Sequence, residues 1–148
     1  AKSLWQLREG ISESLAACTP YKNDLSVRIS EVPGFLADVD RYVSESYPEF
    51  EVCWYGHIGD GNLHLNILRP EDMSVEEFFE HGHGMSPKIF EIVAARRGSI
   101  SAEHGVGLLK RDFLGYTRSD DEIKLMQGLK ALFDPHQILN PNKLLSSR

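Results

Sequence analysis

Apolar residues recur at helical spacing in several stretches of the chain. Leu4, Leu7, Ile11 and Leu15 share one face and predict a helix over 3–17, which Pro20 ends. Val32, Leu36, Val39 and Val43 form a second stripe that runs to about Ser46 and is closed by Pro48. Ser74, with Glu76 and Glu77 behind it, reads as a helix start; Pro87 suits the first turn of a further helix through Ala95, terminated by Gly98. Ser119 opens a last helix whose first turn holds Asp120, Asp121 and Glu122 against the positive end of the helix dipole, with Ile123, Met126, Leu129 and Leu132 as its core face.

Between these helices the period shortens to two. A short strand is expected at Ser26 to Ile29, two longer ones at 51–58 and 62–68, and another at Ser99 to Ala102. Helices and strands alternate without a βαβ dinucleotide fingerprint. The expected fold is therefore α+β, one domain over 1–148 in which an antiparallel sheet carries its helices on one face.

The middle pair of strands is joined by Gly59-Asp60-Gly61, turn chemistry that predicts a hairpin. A two-residue turn at Asp60-Gly61 would place His57 opposite His64 and Tyr55 opposite Asn66, while Leu63, Leu65 and Ile67 point the other way. Directly opposed residues have Cβ atoms about 4.5–5.5 Å apart, near enough for two imidazoles to share one cation. The alternative is two solvated histidines on a polar sheet face, and the hairpin alone leaves both open.

Residues 99–107, Ser-Ile-Ser-Ala-Glu-His-Gly-Val-Gly, run from strand-like sequence into an acid–imidazole pair and a glycine-rich bend. Glu103 joined to two histidines makes a common divalent-metal set, and His104 beside it is a candidate general base. The competing reading makes Glu103 a cap or ion-pair partner for a helix near Leu108 and His104 a surface residue. His81 and His83, each followed by glycine, read as a helix break with solvated rings; His136 reads as a turn residue, and Trp5, Trp54 and the phenylalanines as core.

A formal net charge of −6 argues against a surface for nucleic-acid backbones. No apolar run approaches the roughly 20 residues of a spanning helix. Cys18 and Cys53 form neither a CxxC pair nor a disulfide framework, which fits a reducing cytoplasm. The chain begins at Ala1 in helical sequence, as a piece of something larger would.

Three ordered motifs, Gly56-His-Ile-Gly-Asp-Gly-Asn-Leu-His-Leu-Asn66, Ser101-Ala-Glu-His-Gly-Val-Gly107 and Phe133-Asp-Pro-His-Gln-Ile-Leu-Asn-Pro-Asn-Lys143, resemble the C-terminal domain of FAD-linked oxidases of the vanillyl-alcohol-oxidase type. The resemblance covers the whole chain. It implies ferredoxin-like elements in the fold and a D-2-hydroxy acid as substrate, D-2-hydroxyglutarate foremost, oxidised to the 2-oxo acid. D-lactate and glycolate are the alternatives within the family, and a metallohydrolase or a non-catalytic metal-binding domain the alternatives outside it. It also implies zinc or manganese at His57, His64 and Glu103, His104 as base, and substrate contacts at Arg8, Ser12, Lys22 and Asn66. FAD is expected mainly on an N-terminal domain that this chain lacks, with an electron acceptor beyond it.

Overall fold

In the computed structural model, residues 2–146 are described, in the order α1 (Lys2–Glu9), α2 (Ile11–Ala16), β1 (Tyr21–Ser26), α3 (Val32–Ser46), β2 (Glu51–His57), β3 (Asn62–Leu68), α4 (Val75–Ala95) and α5 (Asp120–Phe133). Short 3-10 turns at Ile29–Glu31 and Arg111–Tyr116 complete the set. The three strands form one antiparallel sheet in the order β1-β3-β2. β1 and β2 thus run parallel with β3 between them and α3 as their crossover, the split βαβ arrangement of ferredoxin-like folds. No helix among the described residues is long and apolar enough to cross a membrane.

Strand alternation divides this sheet into two unlike faces. Tyr21, Asn23 and Leu25 of β1 share a face with Leu63, Leu65 and Ile67 of β3 and with Val52 and Trp54 of β2. Against it pack Phe35, Val39 and Val43 of α3 and Phe78, Met85, Ile89, Phe90 and Val93 of α4, all buried. Each such side chain contributes about 1.5–3 kcal/mol by leaving water. On the opposite face lie Lys22 and Asp24, Asn62, His64 and Asn66, and Tyr55 and His57.

Several elements differ from the sequence-based expectation. The hairpin has a four-residue loop, Ile58 to Gly61, with the Asp60 N–H donating to the His57 carbonyl at 3.2 Å and Gly61 at φ +72°. His57 consequently faces Asn62, and His64 faces Tyr55. A two-residue shift restores the face of every side chain, so His57 and His64 become diagonal neighbours. The first strand is Tyr21–Ser26 instead of Ser26 to Ile29, and the strand expected at Ser99 to Ala102 shrinks to one bridge between Ser26 and Ser99. The helix over 3–17 is interrupted at Gly10.

Residues 75–95 form one continuous helix through Pro87. Proline costs a helix interior roughly 3 kcal/mol, which the five buried apolar side chains of α4 outweigh. His81 and His83 therefore mark no break: His81 packs edge-on against Tyr47 and Phe50, and His83 against Tyr21. Gly82 between them admits the Tyr21 ring, whose hydroxyl pairs with Ser86 Oγ at 2.8 Å.

Several residues read as core from the sequence are exposed. Leu129 and Leu132 of α5 are exposed, as are Trp5 of α1 and Phe133. Ser119 caps α5 as expected, in a capping box with Glu122.

Lys110 fastens β1 to the segment after the Ser26–Ser99 bridge. Its ammonium donates to the carbonyl of Asp24 at 3.0 Å and to that of Ile100. Burial, opposed by the charge of Asp24, brings its pKa down from 10.5 to about 8.

Two tests follow from this packing. Alanine normally improves on a mid-helix glycine by about 1 kcal/mol, and Gly84→Ala, whose Cβ would meet only the Tyr47 hydroxyl at an ordinary contact distance of 3.9 Å, should follow that rule. Gly82→Ala should destabilise instead, because its Cβ would lie 2.5 Å from the Tyr21 ring; chemical denaturation of the pair reads the difference, and equal effects would contradict the contact. For Lys110, the ammonium is charged in folded and unfolded chains below about pH 8, whereas between about 8 and 10.5 the unfolded chain holds more protons. Stability of the wild type relative to Lys110→Met should therefore rise with pH across that window; a difference independent of pH would contradict a buried amine.

Candidate functional site

The polar sheet face forms the floor of a cavity of about 570 Å³, closed on one side by Ser12 of α2 and on another by the loop 103–110. His64 is at its centre. Cross-strand pairing sets Asp24 on one side of it and Tyr55 on the other. Its Nδ1 is 3.6 Å from Asp24 Oδ1 and its Nε2 is 3.5 Å from Glu103 Oε1. The ring of His104 lies nearly parallel to it at 5.6 Å, and those of Tyr55 and His57 at 5.0 and 5.7 Å. Burial lowers the pKa of His64, even against the pull of the Asp24 and Glu103 carboxylates, so the ring is neutral at neutral pH.

Asp24 holds the loop to the sheet. Its Oδ2 accepts the backbone N–H groups of Glu103 at 2.8 Å and His104 at 2.9 Å. Burial acts to raise its pKa, but those two donors, with the charges of His104 and Lys110, bring it below the ordinary carboxylate value. Glycines at φ +80° and +56°, Gly105 and Gly107, turn the chain away after His104.

One ligand atom from each of Asp24, His64, Glu103 and His104 falls within a 4.8 Å cluster. Two carboxylates and two imidazoles form a chemically suitable set for a divalent cation. Asp24 Oδ1, buried without a hydrogen-bond partner among the described residues, faces the His64 nitrogen opposite the one turned toward Glu103.

The sequence-derived candidates fall into three groups. His64, Glu103 and His104 converge. His57 shares their face and lines the cavity but stands outside the four-residue cluster, its Nδ1 3.5 Å from the Asn62 amide. Of the substrate candidates, Ser12, Lys22 and Asn66 line the cavity, with Lys22 Nζ donating to Ser12 Oγ at 3.4 Å. Asn66 is only 1% exposed, and its amide donates to the carbonyls of His64 and Cys53. Arg8, on α1, is outside the lining residues, its guanidinium 5.8 Å above the Trp5 ring.

Sequence reading missed Asp24 and Lys110. Asp24 alternates with Lys22 and could have been found from that spacing, had the strand been placed over Tyr21–Ser26. No local pattern singles out Lys110, whose role depends on contacts with residues distant in the chain.

Comparison with known proteins agrees with this architecture. The chain is 53% identical over 146 residues to a D-2-hydroxyglutarate dehydrogenase of Stutzerimonas stutzeri, an alignment covering 99% of this chain and 32% of the relative. It is 50% identical over 147 residues to the protein of that name from Xanthomonas citri pv. viticola, covering 99% and 31%. A mitochondrial protein of Schizosaccharomyces pombe, whose name proposes a D-lactate dehydrogenase, is 42% identical over 151 residues, covering 95% and 28%. The chain thus spans about a third of the length of the curated relatives it matches. Residues 1–144 match the family described as FAD linked oxidases, C-terminal domain, and the chain belongs to that family.

Proposed function

We propose that the protein containing this chain oxidises a D-2-hydroxy acid, D-2-hydroxyglutarate foremost, to the 2-oxo acid, and that this chain supplies the substrate side of the reaction. The convergence of Lys22, His64, Glu103 and His104 on one cavity carries the reading. The names of the two bacterial relatives support the choice of acid.

A divalent metal, zinc or manganese, held by His57, His64 and Glu103, would supply Lewis acidity toward the substrate's hydroxyl and neighbouring carboxylate. FAD, held mainly by the part of the protein beyond this chain, would supply the two-electron redox chemistry, with an external electron acceptor as its partner. Neutral His64 keeps a ring nitrogen free to ligate, and Glu103 faces its Nε2. Asp24 faces the other nitrogen, so it is not a ligand to the same ion.

His104, with its side chain 67% exposed, is the group free to take the hydroxyl proton. Its Nδ1 is turned toward Asp24 at 4.0 Å and its Nε2 toward Glu103 at 3.7 Å, with the imidazole at the open side of the cavity. Lys22 pairs with carboxylate charge at the cavity wall, beside Ser12. Asn66 holds the carbonyls around His64 and Cys53 in place beneath the substrate. Arg8, four residues before Ser12, is assigned to the distal carboxylate that D-lactate and glycolate lack. Cys18 and Cys53 are free, in keeping with a reducing compartment such as the cytoplasm.

In the full-length enzyme, His104→Ala should lower kcat by about 10²–10⁴-fold with metal content unchanged. His64→Ala should lose metal and activity together, as measured by elemental analysis of the purified variant. A His104→Ala enzyme within about threefold of wild type would end the base assignment, since general bases contribute far more. Arg8→Ala should raise KM for D-2-hydroxyglutarate far more than for D-lactate. Equal losses on both acids would move Arg8 to the shared carboxylate and favour the D-lactate reading.

A further inference from the structure

Asp24 has two oxygens with different tasks. Oδ2 is committed to the backbone N–H groups of Glu103 and His104, and Ser101 Oγ approaches it at 3.5 Å. Oδ1 is buried, accepts no hydrogen bond among the described residues, and faces His64 Nδ1 at 3.6 Å. Leaving such an oxygen unsatisfied carries its full desolvation penalty. The donor placed to satisfy it is the Nδ1–H of the directly opposed residue, since Asp24 and His64 are cross-strand partners.

The residue itself is pinned. It is 5% exposed, it sits in the β1–β3 ladder opposite His64, and its carbonyl takes the ammonium of Lys110. A carboxylate held this way selects one tautomer of its neighbour. A proton on Nδ1 leaves the lone pair on Nε2, the nitrogen turned toward Glu103.

We infer that Asp24 is a positioning residue with two functions: it fixes His64 in the Nδ1–H tautomer with Nε2 free to ligate, and it sets the Glu103–His104 loop against that nitrogen. The ligand part of this inference rests on the proposed metal reading; the tautomer part does not. Asp24 itself remains outside the coordination sphere, because a single imidazole offers its two nitrogens in divergent directions.

Asp24→Asn tests it with the shape preserved. The amide oxygen should stay with the two backbone N–H groups, since the opposite orientation would set a donor against both. The amide NH₂ then faces His64 Nδ1 and favours a proton on Nε2, the wrong tautomer for ligation. In the chain at neutral pH, long-range ¹H–¹⁵N correlation should show His64 protonated at Nδ1 in the wild type and at Nε2 in Asp24→Asn. Competition with a chromogenic chelator should show zinc affinity falling by about 10–100-fold, the range typical of lost second partners to ligating histidines.

A wild-type His64 protonated at Nε2 would overturn the inference even if the variant did not fold. So would an Asp24→Asn protein with an unchanged tautomer and zinc affinity within twofold of wild type. If the tautomer switches as expected while neither protein binds zinc, Asp24 keeps its positioning role and the metal reading fails by itself.

Discussion

The two-sidedness of β3 governs the rest of the molecule. Flanked by β1 and β2, the strand has its backbone satisfied on both edges, so its side chains alone decide what each face meets. Leu63, Leu65 and Ile67 draw α3 and α4 onto one side; Asn62, His64 and Asn66 are thereby turned to the other, away from the covering helices. Lys22 and Asp24 reach that side by the same alternation in β1, and Tyr55 and His57 in β2. Hydrophobic burial on one face thus orients the polar chemistry on the opposite one.

The site joins a stiff half to a looser one. His64 and Asp24 are carried by paired strands over a packed core, whereas Glu103 and His104 belong to a loop whose backbone reaches the sheet through a single carboxylate oxygen. Lys110 adds a second tie between the same two regions. An enzyme that must align ligands to within fractions of an ångström gains from building one side on a rigid element. Tyr21, seated against Gly82, extends that rigidity to the start of β1.

Much of this was legible in the sequence because it is written in local periods. The hairpin strands, the stripe of α3, the capped start of α5 and the shared face of His57 and His64 all follow from spacing and turn chemistry. The register did not, because Gly59-Asp60-Gly61 is compatible with both a two-residue turn and the four-residue loop observed. Nor did β1, where Asn23 and Asp24 are poor strand formers held extended by β3. The α4 proline and the histidine–glycine stretch before it misled for the converse reason, since tertiary packing outweighed a local helix breaker. Periodicity identified the apolar positions of α1 and α5 but could not show what covers them, and in this chain Leu4, Leu7, Leu129 and Leu132 are exposed.

The four-residue loop between β2 and β3 has a consequence for how such a domain tolerates change in length. Sliding one strand past the other by two positions swaps partners but leaves each imidazole facing the cavity. Sliding by one would drive His57 or His64 into the layer beneath the helices and push aliphatic chains into water, a penalty on the order of several kcal/mol. Insertions and deletions transmitted to the strands are therefore filtered by parity: even steps alter which neighbour touches which, while odd steps abolish the fold and the chemistry together.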